Sequence, residues 1–247
     1  MIQKRPLIPF LLLITGMLLA ACGSDQDSGA SGTPAPEAAP TSEEAPPGVD
    51  LNLDPANLEN ENSRTVSLYL YETLVREQDG VIVGALAESF TVSEDGLDYI
   101  FNLRGDVVFH DGSSLNADVV MLNFNRWFDK DDPNRGSGEY AAWLANFEGF
   151  KGDTKDDGKP KSPVDGMEKV DESSVIIHLN TPDPDFLRKM TDIAFAIGSP
   201  ASFVGRDGGS GPYRAESKDG TTLVLAPFDE YWDSAAIPGE KMEIPAP

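Results

Sequence analysis

The sequence predicts a mixed α/β (α+β) domain over residues 49–247, carried behind an export signal and a polar tether. Three observations predict it. Alternating apolar and polar runs flank Asp-Gly turns, the pattern of antiparallel hairpins. Other stretches place apolar residues at three- and four-residue spacing, the stripe of a helix buried on one face. Strands and helices are interspersed with many hairpins, which points to an α+β or mixed layered architecture.

In chain order, residues 1–21 read as a lipoprotein signal peptide. Lys4 and Arg5 form its positive start, Leu7 to Leu19 its apolar segment, interrupted by Pro9 and Gly16, and Ala20-Ala21 its small-residue cleavage point. The apolar run is shorter than the roughly 20 residues a membrane-spanning helix needs. The alternative is an N-terminal transmembrane anchor. Cys22 is the only cysteine in the chain and follows Leu19-Ala20-Ala21 directly, which matches the bacterial lipobox. On that reading its sulfur takes a diacylglyceryl group. Two acyl chains, at about 0.8 kcal/mol per buried CH₂, anchor a domain stably where one holds it marginally. The competing reading, a buried apolar cysteine, fits poorly with Gly23-Ser24-Asp25. With one cysteine no internal disulfide can form, so the domain depends on its core.

Residues 22–48 read as a lipid-anchored disordered linker, rich in Ser, Gly, Pro, Ala, Asp and Glu and unable to bury a core. As a flexible coil of about 25 residues it would span roughly 25–30 Å. The formal charge of −23 repels phosphate backbones and anionic lipid heads, so neither nucleic acid nor a direct headgroup contact is expected.

Asn62 to Val75 carries Val66, Leu70, Tyr71 and Leu74 at helical spacing, with Asn62 or Ser63 as its N-cap. Phe90–Ser93 and Leu97–Leu103 form a hairpin across Glu94-Asp95-Gly96, with Leu97, Tyr99, Phe101 and Leu103 on one face. After a turn at His110-Asp111-Gly112, a helix runs from Ala117 to Phe128 behind Asn116 as cap, burying Val120, Phe124, Trp127 and Phe128. Asp129 to Pro163 reads as loop with a short helix at Tyr140–Phe147. Met167–Val170 and Ser174–Leu179 read as a hairpin, Pro184–Met190 as a short helix, and Tyr213–Ala215 with Thr222–Ala226 as a hairpin across Asp219-Gly220.

Several of these segments carry a resemblance. Leu53-Asp54-Pro55, Tyr71-Glu72-Thr73-Leu74, Leu86-Ala87-Glu88-Ser89-Phe90, Phe101-Asn102-Leu103-Arg104, Phe109-His110-Asp111-Gly112 and Ala117-Asp118-Val119 occur in series. Val170-Asp171, Val175 to Leu179, Gly209-Ser210-Gly211-Pro212-Tyr213 and Tyr231-Trp232 follow. In order and spacing the chain resembles the family 5 extracellular solute-binding proteins, the dipeptide, oligopeptide and nickel receptors of ABC importers. The resemblance implies the first lobe of a periplasmic-binding-protein-like type II fold, with the second lobe absent. It implies a peptide or other small solute as ligand, ABC permease subunits as partners, an extracytoplasmic location, a monomer, no cofactor, and no enzymatic activity. It departs from the family in its short start before Leu53 and in a shorter Ser199–Gly209 interval. A truncated receptor that no longer binds, or a structural lipoprotein, are the rival expectations.

The site residues follow from this. Glu61, Asn62 and Ser63, in the loop from Glu59 that opens the first helix, are the expected solute contacts. A helix start offers backbone donors to polar ligand groups, although the same loop reads equally as a simple cap. Gly209, Gly211, Pro212 and Tyr213 are expected at the interlobe crossover, their glycines serving backbone geometry. His110-Asp111 could suggest a metal or acid–base role, but a metal wants three or four converging ligands, so the turn role is preferred. Glu72 and Glu88 read as solvated or capping carboxylates rather than a catalytic pair. Trp127, Trp143 and Trp232 read as core or rim aromatics. No catalytic and no metal-binding residue is expected.

Overall fold

A computed structural model describes residues 49–247 of the chain. The signal peptide, Cys22 and the linker expected over residues 1–48 lie outside the described residues.

Asp54 accepts a hydrogen bond from the Ala56 amide at 3.0 Å, which closes a short 3₁₀ turn. Helix α1 (Glu61–Leu70) follows. Its cap is Asn60, whose extended backbone brings the side-chain oxygen to the Ser63 amide at 2.9 Å. The expected helix of Asn62–Val75 is therefore corrected at both ends, and so is the expected cap at Asn62 or Ser63. At the C-terminal end Tyr71 adopts extended geometry, φ −125° and ψ 159°. This lets Glu72 pair with Ile197, whose amide donates to the Glu72 carbonyl at 2.9 Å. Pairing with a distant segment overrides a local helical pattern, while Leu74 is still buried.

Strands β1 (Val75–Gln78) and β2 (Val81–Gly84) then form a hairpin that the longer helix reading concealed. Its turn residues Asp79 and Gly80 both take positive φ, 52° and 79°, as a tight two-residue hairpin demands. The main sheet contains β3 (Ala87–Val92), β4 (Asp98–Leu103), β5 (Val164–Asp171) and β6 (Ser174–Leu179) in the antiparallel order β3-β4-β6-β5. Helix α2 (Ala117–Phe128) packs on its apolar face, and α3 (Ala141–Phe147) joins the same core through Trp143 and Phe147. Helix α2 has the expected bounds, with Asn116 accepting from the Val119 amide at 3.0 Å. A one-turn helix, α4 (Phe186–Lys189), is shorter than expected and leaves Pro184 outside it. The last sheet, β7 (Tyr213–Asp219), β8 (Thr222–Pro227) and β9 (Met242–Pro245), is antiparallel in chain order.

Two apolar cores result. Alternation along β4 and β6 turns Tyr99, Phe101 and Leu103, and Val175, Ile177 and Leu179, inward. They meet Val120, Phe124, Trp127 and Phe128 of α2 and Trp143 and Phe147 of α3. The smaller core joins Val66 and Leu70 of α1 to Leu223 and Leu225 of β8, with Leu51, Leu53 and Tyr71.

Candidate functional site

A concave surface lies at the start of α1. It is an open cleft of about 490 Å³, lined by Ala56 to Glu59, Arg64, Ser137 to Ala142, and Ala194. Its walls are fixed by buried chemistry. Arg126 donates to both carboxylate oxygens of Asp54, at 3.0 and 2.5 Å, and that carboxylate also accepts from Asn57 Nδ2 at 2.9 Å. Asn57 Oδ1 in turn accepts the Tyr140 amide at 3.1 Å.

Gly138 is needed at this point because a Cβ there would collide with the Asn57 side chain. Tyr140 holds a left-handed backbone, φ 54°, at the start of α3. That conformation costs a non-glycine residue on the order of 1–2 kcal/mol. It is secured by the phenol donating to the Arg135 carbonyl at 2.6 Å and by the Arg135 guanidinium stacked 4.0 Å from the ring centroid. Burial raises the Tyr140 phenol above its ordinary value, so it remains a donor.

The expected contacts Glu61, Asn62 and Ser63 all lie in the first turn of α1. Glu61 and Asn62 are exposed, and Ser63 is buried with its amide occupied by Asn60. The cleft is lined by the residues on either side of them, Glu59 and Arg64. The sequence reading did not anticipate Asn57 or Ser137 to Ala142. The only local signal was Gly136-Ser137-Gly138 inside a polar loop, and its role depends on contact with a segment some 80 positions earlier.

A second constellation lies at the other end of α1. Glu72, expected to be solvated or capping, is half-buried. It accepts from Tyr231 OH at 2.9 Å, Trp232 Nε1 at 3.0 Å and Ser210 Oγ at 3.2 Å. Burial raises its carboxyl above the ordinary value, opposed by these three donors. Glu88, by contrast, is exposed on β3.

The Gly-rich segment beside Ser210 crosses the end of α1 at backbone contact. The Gly211 amide donates to the Leu70 carbonyl at 2.9 Å, and a Cβ on Gly209 would strike that same carbonyl. Pro212 offers its carbonyl to the Phe228 amide at 2.9 Å, and Tyr213 packs edge-on against Tyr69.

His110 makes its turn, with the Gly112 amide donating to the Phe109 carbonyl at 2.8 Å. Its imidazole is also buried. Nε2 donates to the Gly211 carbonyl at 3.0 Å, and Nδ1 lies 2.6 Å from the Asp207 carboxylate. Both ring nitrogens are engaged, so the ring serves to fasten the Gly-rich segment. Asp207 also accepts the Gly209 and Ala215 amides at 3.1 and 2.7 Å. His178 stands apart on the four-stranded sheet, 2.7 Å from Asp98.

Trp127 and Trp143 are core residues, and Trp232 lies at a rim under the Arg104 guanidinium at 3.8 Å. Among the described residues no group of three or more His, Cys, Asp or Glu side chains is placed to hold a metal ion.

The motifs that are scattered in the chain thus converge in space: Tyr71-Glu72, Phe109-His110-Asp111, Gly209 to Tyr213 and Tyr231-Trp232 form one connected network. The chain is similar to known proteins over most of its described length. Over 196 residues the chain is 32% identical to the glutathione-binding protein GsiB of Pectobacterium atrosepticum, covering 76% of this chain and 34% of that protein. It is 31% identical to the dipeptide-binding protein of Escherichia coli, covering 67% and 33%.

Among solved structures, HbpA2 from Haemophilus parasuis superposes with a TM-score of 0.65 at 27% identity, over 79% of this chain and 41% of that one. The ABC transporter-associated periplasmic binding protein DppA from Helicobacter pylori, in complex with the peptide STSA, gives 0.59 at 25%, over 72% and 37%. The chain therefore spans about a third to two-fifths of the length of these relatives. The fold is that of part of a periplasmic binding protein. Residues 81–243 match the model described as bacterial extracellular solute-binding proteins, family 5 Middle, and the chain belongs to that family.

Proposed function

We infer that this chain binds a small solute, of peptide type, as the lipid-anchored receptor component of an ABC importer, and performs no chemistry of its own. The observation that carries this reading is the open cleft at the start of α1, in a chain of a solute-binding family. Its volume falls within the roughly 300–1,000 Å³ typical of ligand sites. The relatives described as binding dipeptide, glutathione or the peptide STSA support peptide as the class. Glu61, Asn62 and Ser63 flank the solute rather than enclose it, and Gly209 to Tyr213 carry the chain between lobes. Cys22 holds the receptor at the extracytoplasmic face of the membrane, where as a monomer it hands solute to the permease.

Calorimetric titration of the purified full chain with a mixed pool of di- to hexapeptides tests the binding. Saturable heat is expected, and a flat titration would remove the peptide reading. Metabolic labelling with palmitate tests the anchor. Label should enter the wild-type chain and be lost in Cys22→Ser, and equal labelling of both would rule the anchor out.

A further inference from the structure

The charges of the cleft are unevenly committed. Its one cationic lining residue, Arg64, is already engaged, with Nη1 donating to Asp192 Oδ1 at 3.1 Å. Its other polar side chains are largely used within the wall, Asn57 by Asp54 and the Tyr140 amide, and the Tyr140 hydroxyl by the Arg135 carbonyl. Glu59 and Glu139 remain. Both line the cleft, one before α1 and one before α3, both are exposed, and neither makes a hydrogen bond or ion pair with the described residues. Two uncommitted carboxylates lining one concavity, whose single cation is paired with Asp192, favour a ligand group that brings a positive charge and N–H donors. The exposed amides at the start of α1 do not reverse this preference. Asn60 occupies the Ser63 amide, and Glu61 in the first turn already answers the positive end of the helix.

We propose, on the basis of the peptide-receptor reading above, that the cleft takes the cationic part of the solute, an ammonium or guanidinium group such as a lysine or arginine side chain, against Glu59 and Glu139. The apolar lining supports the aliphatic stem. Ala56, Leu58, Ala141, Ala142 and Ala194 are small or apolar, which suits the methylene chain of such a side chain while its charged head stays near the two carboxylates.

The test is amide-resolved NMR of the full chain titrated with the tripeptides Ala-Lys-Ala, Ala-Ala-Ala and Ala-Glu-Ala, a measurement that registers millimolar binding. The expected result is that Ala-Lys-Ala perturbs residues 56–64 and 137–142 and binds about tenfold more tightly than Ala-Glu-Ala, the gain open to two partly solvated charge pairs. That preference should shrink in 0.5 M salt and vanish in the double variant Glu59→Gln/Glu139→Gln. Both positions are exposed, so the fold is retained. Equal affinity for the three peptides, or a lysine preference that survives the double substitution, overturns the cation assignment and leaves the peptide reading intact. No perturbation by any of the three overturns the peptide reading, and the cation assignment falls with it.

Discussion

The two cores of this molecule hold together in different ways. The core beneath the four-stranded sheet is aromatic and continuous. Trp143 meets Phe124, Phe128, Phe147 and Phe195 with ring centroids between 4.6 and 6.0 Å. The core under α1 and the three-stranded sheet is small and mainly aliphatic, with many of its neighbours only partly buried. What that second region lacks in apolar burial it supplements with directed polar ties: Asp207 to His110 and two amides, Glu72 to three donors, and backbone bonds across the Gly-rich segment. Burial is non-directional and tolerates small shifts, whereas hydrogen bonds of this kind fix geometry. The region expected to carry the chain between lobes is thus the one held by geometry, and the supporting region is the one held by mass.

This contrast can be broken most severely in the aromatic core. Trp143→Ala removes those ring contacts and the bond from Nε1 to the Gly149 carbonyl at 2.9 Å. A loss of about 3–5 kcal/mol of unfolding free energy is expected, the range for deleting a large buried aromatic. Chemical denaturation followed by far-UV circular dichroism measures it. A loss below about 1 kcal/mol would show that the rings are not a single packed unit.

The polar region should respond less, and with a dependence on pH. Glu72→Ala leaves Trp232 Nε1, Tyr231 OH and Ser210 Oγ without their acceptor, at a cost of about 1–3 kcal/mol. Because burial raises the folded carboxyl above its ordinary 4.5, the folded chain holds this proton to higher pH than the unfolded chain does. The stabilisation from this group is fully present below the ordinary glutamate value. It declines as pH rises from there through the raised folded value, at no more than about 1.4 kcal/mol per pH unit. Glu72→Gln should remove that decline while keeping one acceptor oxygen for the indole and phenol. Wild type and Glu72→Gln showing the same slope over that window would mean the carboxyl is not desolvated.

Legibility in the sequence followed the same division. Helix α2 and the hairpins at Asp95-Gly96 and Asp219-Gly220 were readable because cap, stripe and turn are all local. The polar region was not, because its features depend on partners far along the chain. Tyr71 and Glu72 continue a helical pattern, yet they leave the helix to meet Ile197, Ser210, Tyr231 and Trp232. Reading the helix onward to Val75 also hid the Asp79-Gly80 turn, a strong local signal. In the cleft, Glu59 lay within the loop that was singled out, but Asn57 and Glu139 acquire meaning only when Gly138 meets Asn57 across the two segments. Such a contact carries no periodicity to detect.

The smallest expected effect sharpens the comparison at the cleft itself. Arg64 and Asp192 pair at 3.1 Å with side chains 44% and 31% exposed, so solvent screens most of their attraction. Arg64→Ala should therefore change stability by no more than about 0.5 kcal/mol, as exposed pairs usually do. Its effect on ligands should be larger than its effect on folding, because it removes the only cation lining the cleft and leaves Glu59 and Glu139 unopposed. If the cleft is cation-selecting, Ala-Lys-Ala binding is unchanged or tightened in Arg64→Ala. If affinity for Ala-Lys-Ala fell instead, Arg64 would be contacting the ligand directly, and the Asp192 pair would have to open to allow it.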